Sequence, residues 1–510
     1  MAYFAHVAED GRKQTVREHL TGVAEKAAEF ARPFGGEKHA AQIGMAHDIG
    51  KFSAAFQRRL LENGSRVDHS TAGAVELIER RDLVGAFCAA GHHAGLADCG
   101  TPWDTADQST LQGRVKRKEK LADYSAFRKE ISWDTSAWSE EQESAASSGT
   151  PEEQYSDAYY RTKFQFSCLV DADFLDTGEF MDGKSREMPY DSVETLQEKL
   201  ARYTEKWQHP TSELNRIRCD ILRTCTEAGE EDRGLKSLTT PTGGGKTVAS
   251  LSFALGHACK HGMQRIVYII PYISIIDQTA KTLEEIFGRE NVLAHYSEAE
   301  YDDDDIGQRK KLAAENWDAP VIVTTSVQFF ESLFSHRPSK SRKIHNIADS
   351  VLIFDEYQMI PVKNMLPCTD AIYHLIRDYR CTALLCTATQ PGTERFFHGM
   401  PCRELIEDPP LLFERLQRVT YRQMGMVTDQ ELAEALQQHD QVLCIVNTRK
   451  SAQNIYQLMV TEGTFHLSTY MIPKHRRSVL EEIRLRLKQN LPCRVVSTSL
   501  IEAGVDVDFP

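Results

Sequence analysis

The sequence lacks the features that mark secreted, membrane-spanning and broadly basic proteins. Its twelve cysteines include no C-x-x-C pair, so we expect reduced thiols and no disulfide framework. The most apolar stretch, residues 265–277, is short and is interrupted by Pro271, which excludes a membrane span there. No hydrophobic run follows the first residues, so we expect no signal peptide and a cytoplasmic protein. The net charge of −14 means that any site for a polyanion must be a local groove.

Length and hydrophobic pattern predict several domains. A chain of 510 residues exceeds the usual single core, and about 150 residues per domain gives about three domains. Residues 1–100 repeat their apolar positions at helical spacing, whereas short β-branched runs alternate with helical segments from Gly234 onward. We therefore predict a multidomain protein in which an all-α bundle precedes doubly wound α/β sheets, the second of them incomplete.

The α/β part contains apolar runs that are typical of buried parallel strands. These runs lie at residues 235–239, 265–270, 321–324, 351–354 and 383–386, with two more at 442–446 and 494–497. Before them, the polar segment 101–159 is predicted to be an inserted mobile loop, and a helix is predicted over 160–177.

A glycine-rich segment between the first of these strands and a predicted helix has the context of a P-loop. It consists of Thr240, Pro241, Thr242, Gly243, Gly244, Gly245, Lys246 and Thr247. Its backbone N–H groups would face phosphates, Lys246 would reach the β- and γ-phosphates and Thr247 would ligate Mg²⁺. Asp355 and Glu356 end another predicted strand, where one carboxylate can hold Mg²⁺ and its neighbour can position water. The two motifs together predict binding of ATP with Mg²⁺.

Further motifs make the chain from about Thr211 onward resemble a superfamily 2 helicase. The matching segments are 271–278, 324–326, 387–389, 447–449 and 502–506. Gln358 stands where that family often has a histidine, so the link to the 387–389 motif runs through an amide. The arginine motif that should follow 502–506 is absent from the sequence, which implies a chain truncated after motif V that binds ATP and hydrolyses it poorly.

The first part of the chain carries a set of histidines around one His-Asp pair. These positions are His19, His47, Asp48, His69, His92 and His93. A His-Asp pair alone is a weak signal, since His439 and Asp440 form another in a polar segment that we assign to solvent. The full pattern resembles the HD-domain metal phosphohydrolases, which are helical bundles that bind one or two ions. Imidazole with carboxylate ligands suits Mn²⁺, Fe²⁺, Co²⁺ or Ni²⁺.

The HD resemblance implies a role for each position. One ion would be held by His19, His47, Asp48 and Asp173, and the second by His69, His92 and His93, with Asp48 bridging. Helical periodicity does not decide between Asp173 and Asp171 as the last ligand, although the residues around Asp173 look more like the family's ending. Lys51 is a candidate phosphate contact, and the alternative is a solvated lysine. His6 and His39 match no family position and are assigned structural roles.

The order of the two modules resembles one family, the CRISPR-associated nuclease-helicases of type I interference, in a type I-C-like form. The resemblance implies an HD nuclease domain at 1–205, a RecA-like helicase domain at 206–415 and a partial second one at 416–510. It implies metal-dependent endonuclease and exonuclease action by His47, Asp48 and Lys51, together with an ATP-dependent helicase in which Glu356 is catalytic.

The expected substrate is single-stranded DNA, the displaced strand of an R-loop, and the expected partner is the crRNA-guided Cascade complex. Cleavage would be coupled to ATP-dependent 3′–5′ translocation. Three other hypotheses stay open: an HD phosphohydrolase of nucleotides with a regulatory helicase-like half, a helicase whose helical domain only binds nucleic acid, and an inactive scaffold.

Overall fold

A computed structural model describes residues 2–132, 150–183, 188–389, 392, 394–417, 419–459, 461–501 and 507–509. The strands are β1 Phe4–Val7, β2 Lys13–Thr15, β3 Leu235–Thr239, β4 Arg265–Ile270, β5 Val292–His295, β6 Val321–Thr325, β7 Ser350–Phe354, β8 Thr382–Thr387, β9 Cys402–Glu404, β10 Gln441–Val446, β11 Thr464–Leu467 and β12 Cys493–Thr498. The helices of the first part are α1 Val16–Ala31, α2 Glu37–Ala46, α3 Ala54–Glu62, α4 Ser70–Glu79, α5 Leu83–Gly91, α6 Leu111–Val115, α7 Phe127–Glu130, α8 Pro151–Asp182, α9 Val193–Thr204 and α10 Glu213–Ala228. The helices of the remainder are α11 Lys246–His261, α12 Ile273–Phe287, α13 Asp305–Asn316, α14 Ser326–Phe334, α15 Pro338–Ser341, α16 Met365–Asp378, α17 Pro409–Arg415, α18 Asp429–Gln437, α19 Arg449–Leu458 and α20 Pro473–Lys488.

The chain divides into two compact units. The larger unit comprises Met1–Pro271 and Thr282–Phe413, and the smaller comprises Tyr272–Lys281 and Glu414–Pro510. Among the described residues, no helix combines the length and the apolar character needed to cross a membrane.

Helices α1 to α5 and α8 form a bundle at the start of the larger unit. Helix α1 begins with a capping box between Thr15 and Glu18, and its apolar stripe is fully buried against α2 and α8. Helix α2 approaches α1 so closely that a Cβ added at Gly44 would lie 2.6 Å from the Cα of Ala24. Glycine at this crossing therefore sets the spacing of two helices that carry predicted ligands.

Helix α8 begins earlier than the predicted helix over 160–177. It starts at Pro151, where Thr150 and Glu153 form a capping box, and ends before Gly183, whose φ is 66°. The predicted end of the polar insertion at residue 159 is therefore wrong, because the cap at Thr150 allows a polar first turn to be helical. Within the rest of that insertion the structure forms α6 and α7, while residues 133–149 lie outside the described residues.

A two-stranded antiparallel hairpin, β1–β2, precedes α1 and was not predicted. Its register pairs Phe4 with Thr15, His6 with Gln14 and Val7 with Lys13. Strands of three or four residues are too short to show a clear alternation in sequence, which explains why the prediction missed them.

The larger unit also contains a seven-stranded sheet with strand order β5-β6-β4-β7-β8-β3-β9, and all its pairs are parallel. The five predicted inner strands are present, but the prediction missed β5 and β9. Both are edge strands with partly exposed residues, so neither shows a continuous apolar run. Because β7, β8 and β3 are neighbours, the P-loop and the 355–356 and 387–389 motifs meet at one edge of the sheet.

Helix α8 also joins the bundle to this sheet. Asp171 is fully buried and accepts hydrogen bonds from Arg342 Nε at 2.8 Å and Asn316 Nδ2 at 3.1 Å. The ring of Phe164 stacks on that of Tyr379 with centroids 3.5 Å apart. Removing one partner of a buried ion pair is strongly destabilising, so Asp171 acts as an anchor for α8.

The smaller unit is built on a parallel three-stranded sheet with order β10-β12-β11. Strands β10 and β12 were predicted, and β11 was not. The predicted motif at 502–506 lies outside the described residues. The fold class of a helical part followed by parallel α/β sheets is confirmed.

Candidate metal centre and nucleotide site

The structure brings the predicted histidines and aspartates together inside the helical bundle. His19 and Asp173 lie inside α1 and α8. The other residues lie at helix ends: His47 and Asp48 follow α2, His69 precedes α4, and His92 and His93 follow α5. Their ligand atoms lie within 4.8 Å of one another in three overlapping groups: Asp48 with His69, His92 and His93; His19 with His47 and Asp48; and His47 with His92 and Asp173.

Backbone carbonyls orient three of the imidazoles. The Nδ1 atom of His47 lies 2.7 Å from the carbonyl oxygen of Gly44, and that of His92 lies 2.8 Å from the oxygen of Ala89. His69 Nδ1 makes the same kind of contact at 3.1 Å, with Val67. A neutral imidazole that donates from Nδ1 leaves a lone pair on Nε2, which is the arrangement seen in metal-binding histidines.

Asp48 lies between two pairs of histidines. Its Oδ2 atom is 3.6 Å from His19 Nε2 and 3.5 Å from His47 Nε2. Its Oδ1 atom is 3.3 Å from His92 Nε2 and 3.6 Å from His69 Nε2. One carboxylate can therefore face two cation positions at once.

The donor set fits divalent cations. The Nε2 atoms of His19, His47 and His92 and the Oδ1 atom of Asp48 are buried and make no hydrogen bond within the described residues. Buried polar atoms are rarely left without a partner, and four such atoms on the two sides of Asp48 indicate that cations are their partners. Asp173 adds a further carboxylate, with Oδ1 3.4 Å from His19 Nε2.

The charges of the site support this arrangement. Burial would raise the pKa of Asp48, but the positive charge of Lys51 and the nearby imidazoles hold that pKa well below its usual range. Burial lowers the pKa of His69, and it lowers the pKa of His93 to about 3. At His47 burial lowers the pKa, but the charges of Asp48 and Asp173 outweigh it and raise the pKa. Metals bind the deprotonated ligands, so a cation held by His47 would release its proton.

Asp171 and Asp173 face different neighbours although both lie in α8. Asp173 turns toward His19 and His47, whereas Asp171 is bonded to Arg342 and Asn316. Side chains two positions apart on a helix point about 200° away from each other around the helix axis. Only one of these two carboxylates can therefore reach the cluster.

Asp176 and Gln14 support His19 from its Nδ1 side, and the sequence did not predict either of them. Asp176 Oδ2 lies 2.8 Å from His19 Nδ1 and accepts a hydrogen bond from Gln14 Nε2 at 2.9 Å. A Cβ added at Gly22 would lie 2.2 Å from Asp176 Oδ1, so glycine leaves room for this carboxylate. The only available signal was the spacing of three residues from Asp173, which places both carboxylates on one face of a helix.

We expect Asp176→Asn to weaken metal binding by about 10- to 100-fold, the usual effect of losing an outer carboxylate behind a ligating histidine. The change keeps the volume of the side chain and removes its charge from His19. Calorimetric titration with Mn²⁺ at constant pH measures the affinity. Glu179→Gln is the matched control, because Glu179 lies on the same helix and pairs with Lys26 on the surface. Equal affinities in the two variants would contradict a role for Asp176.

Lys51 and His6 lie beside the cluster. Lys51 is only 4% exposed, and its Nζ atom is 2.7 Å from Asp48 Oδ2, so the alternative of a solvated lysine is wrong. His6 Nε2 lies 3.3 Å from the Lys51 Nζ atom, and burial lowers the pKa of His6 to about 3. His39 lies elsewhere, 3.3 Å from Asp82.

The P-loop residues Thr240 to Thr247 run from the end of β3 into the first turn of α11. Gly243 and Gly245 have φ angles of 82° and 83°, in the region that favours glycine. Lys246 Nζ donates a hydrogen bond to Glu356 Oε1 at 2.6 Å, and Arg218 Nε donates to the carbonyl of Gly243 at 2.8 Å. The helix N-terminus and these glycines form the kind of cradle that binds phosphates.

An amide connects the acidic motif to the 387–389 motif. Gln358 Nε2 donates to Glu356 Oε2 at 2.6 Å, and Thr387 Oγ1 donates to Gln358 Oε1 at 2.6 Å. Asp355 lies next to them and accepts from Tyr268 Oη at 3.2 Å, while burial raises the pKa of Asp355. Gln358 thus provides the physical link that a histidine often provides.

The helicase-like threonines cap helices in this structure. Thr325 accepts from the backbone of Gln328 at the start of α14, and Thr448 accepts from Ser451 at the start of α19.

Fold and sites together define a protein that joins a helical His/Asp cluster to a helicase domain. The model of the DEAD/DEAH box helicase family matches residues 223–396. Over 180 residues the chain is 32% identical to the CRISPR-associated nuclease/helicase Cas3 of Haloferax volcanii, a match that takes in 31% of this chain and 19% of that protein.

The whole chain also shares its fold with solved Cas3 structures. T. fusca Cas3-AMPPNP superposes with a TM-score of 0.67 at 13% identity, covering 100% of this chain and 70% of that one. T. fusca Cas3-ATP gives a TM-score of 0.65 at 15% identity with the same coverage. The resemblance to the CRISPR-associated nuclease-helicases that the motifs indicated is confirmed: the chain shares the fold of the solved Cas3 structures, and residues 223–396 match the DEAD/DEAH box helicase family.

Proposed function

We propose that this chain is a nuclease-helicase of CRISPR interference, which cleaves and degrades single-stranded DNA at the His/Asp centre. The observation that carries the proposal is the set of buried imidazole nitrogens and a carboxylate oxygen without hydrogen bonds, on a chain that also carries a DEAD/DEAH box helicase domain. A cluster of imidazoles around shared carboxylates suits a hydrolytic metal centre better than a closed structural site.

The residues of the centre fall into two sets around Asp48. His19, His47 and Asp173 face its Oδ2 side, and His69, His92 and His93 face its Oδ1 side, which suits two ions among Mn²⁺, Fe²⁺, Co²⁺ and Ni²⁺. Metal ions held there would lower the pKa of a bound water and offset the charge of a phosphodiester. The protein's own contribution is to hold the imidazoles by their Nδ1 contacts and to place the Lys51 ammonium beside Asp48 for a phosphate oxygen.

The helicase half supports ATP binding with Mg²⁺. Lys246 and Thr247 lie where phosphates and Mg²⁺ would bind, and Asp355 and Glu356 face them from the neighbouring part of the sheet. Solved structures with this fold include the Cas3-AMPPNP and Cas3-ATP forms of the T. fusca protein. We propose 3′–5′ translocation on DNA as the use of this ATP.

The biological substrate that follows is the displaced strand of an R-loop, and the partner is the crRNA-guided Cascade complex. We assign the nuclease domain to residues 1–205 and the two RecA-like domains to 206–415 and 416–510.

Circular single-stranded DNA without ATP tests the proposal directly. Because the circle has no ends, only an endonuclease can open it, and we expect Mn²⁺, Co²⁺ or Ni²⁺ to support its conversion to linear and then short products. EDTA should stop the reaction, and relaxed circular duplex should stay intact. If the protein leaves the circle uncut under all three metals but hydrolyses free nucleoside triphosphates at the His/Asp centre, it is a nucleotide phosphohydrolase.

A further inference from the structure

His6 lies next to the metal centre without belonging to its ligand set. Its Nε2 atom is 3.3 Å from Lys51 Nζ and 3.4 Å from Thr177 Oγ1. Its ring meets the ring of His19 edge-on, with centroids 4.8 Å apart. His6 thus contacts three side chains of the centre from the unpredicted hairpin.

The strand that carries His6 is fixed to the turn that carries Lys51. Gln57 Nε2 donates to the carbonyl oxygens of both Phe4 and Lys51, each at 2.9 Å. Gln57 Oε1 accepts from the N–H of Phe4 at 3.0 Å. One buried amide therefore holds β1 at a set distance from the backbone of Lys51.

The other end of the hairpin is fixed to α8, the helix that carries Thr177. Arg12 Nη1 donates to the carbonyl of Phe180 at 2.8 Å, and Arg12 Nη2 donates to that of Met181 at 3.2 Å. The side chain of His6 is consequently held between two elements that are both tied to its own hairpin.

Hydrogen-bond chemistry defines the direction of the contact between His6 and Lys51. An ammonium group only donates, so His6 Nε2 accepts and the ring proton is on Nδ1. Of the three N–H groups of Lys51, one faces Asp48 Oδ2 at 2.7 Å and one faces His6. The centroid of the Phe56 ring lies 5.8 Å from Nζ, too far for a hydrogen bond, so the third N–H can donate to a ligand oxygen.

We propose that His6 is a positioning residue, which holds the Lys51 ammonium so that its remaining N–H faces an oxygen of the bound phosphodiester. This inference rests on the proposed nuclease function. Thr177 Oγ1 lies 3.4 Å from the same His6 Nε2 atom and holds the ring from the α8 side. The unpredicted hairpin is thereby part of the working site and not an accessory to the fold.

The test compares His6→Leu, which removes the acceptor, with His6→Gln, whose Oε1 atom can still accept from Lys51. With Mn²⁺ and saturating single-stranded DNA, we expect kcat to fall about 10-fold or more in His6→Leu, as for loss of a hydrogen bond to a charged group. His6→Gln should stay within about threefold of the unchanged protein, and exposed His439→Leu should have no effect.

The same substitution in a Lys51→Met background shows whether His6 acts through Lys51. The effects of substituting two residues that act through one contact do not add. In the Lys51→Met background, His6→Leu should therefore lower kcat by less than about twofold. Full multiplication of the two effects would overturn the proposal. So would a drop in Mn²⁺ affinity of His6→Leu in calorimetry, because His6 would then support the metal ligands and not the lysine.

A measurement without catalysis separates this inference from the proposed function. Acetylation by acetic anhydride, followed by peptide mass spectrometry, reports how firmly Lys51 is held. We expect faster acetylation of Lys51 in His6→Leu than in the unchanged protein and in His6→Gln. If the unchanged protein cuts no DNA, the nuclease assignment fails, and equal acetylation in all three proteins overturns the positioning role on its own.

Discussion

Asp48→Asn is expected to reduce metal-dependent cleavage of single-stranded DNA by more than about 100-fold. This exceeds the loss of activity that follows when a residue behind a metal ligand is replaced. Asp48 is the carboxylate that both groups of histidines face, with its oxygens 3.3 to 3.6 Å from four imidazole nitrogens. Its replacement by asparagine keeps the shape of a fully buried side chain and removes the negative charge. Both cation positions lose a shared anionic ligand at once, and Asp173 is the carboxylate that remains beside His19 and His47.

The measurement is the rate at which circular single-stranded DNA is opened with Mn²⁺ and no ATP. Calorimetric titration with Mn²⁺ should show loss of affinity in parallel, and an unchanged melting temperature without metal shows that the protein still folds. Asp440→Asn is the matched control, because His439 and Asp440 form the other His-Asp pair and the Asp440 side chain is largely exposed. Cleavage that survives in Asp48→Asn would disprove the nuclease assignment.

Lys246→Ala is expected to weaken binding of ATP or AMPPNP by about 10- to 100-fold, the effect of losing a hydrogen bond to a charged group. Lys246 lies at the start of α11, where its ammonium pairs with Glu356 at 2.6 Å and where phosphates would be bound by backbone N–H groups. Alanine removes the charge without a bulky replacement, so the strand and helix on either side should be retained.

Fluorescence titration with a labelled ATP analogue measures this change. Lys260→Ala on the same helix is the control, because Lys260 lies in the last turn and pairs with Glu230 on the surface. Opening of circular single-stranded DNA by Mn²⁺ without ATP should be the same in all three proteins. Equal nucleotide affinity in Lys246→Ala and Lys260→Ala would contradict the assignment of the P-loop.

Local sequence patterns were sufficient for the two candidate sites as sets of residues. The P-loop depends on a strand, a glycine turn and a helix that are adjacent in the chain, so Lys246 and Thr247 could be placed without the fold. The His47 and Asp48 pair was singled out by the other histidines of the first part of the chain and by the resemblance to HD-domain proteins. These motifs are short-range, and their chemistry is determined by residue type and spacing.

Contacts between distant residues could not be predicted. Asp176 and His19 are 157 positions apart, and His6 and Lys51 are 45 apart, so no spacing rule connects them. The hairpin that carries His6 and Gln14 has strands of four and three residues, and pairing of such short strands depends on what they pack against. The edge strands β5 and β9 were missed because their partly exposed residues form no continuous apolar run.

The sequence by itself determined the class of the fold, the phosphate-binding loop and the histidines and carboxylates available to a metal. Only the tertiary structure decided which carboxylate of α8 faces the cluster. Asp171 and Asp173 are equivalent in helical periodicity, but Asn316 at the end of α13 and Arg342 after α15 bind Asp171. Asp173 is left to the histidines. The physical reason is that the orientation of a helix about its axis depends on the side chains that pack against it. For α8 those side chains lie more than 140 positions away in the sequence.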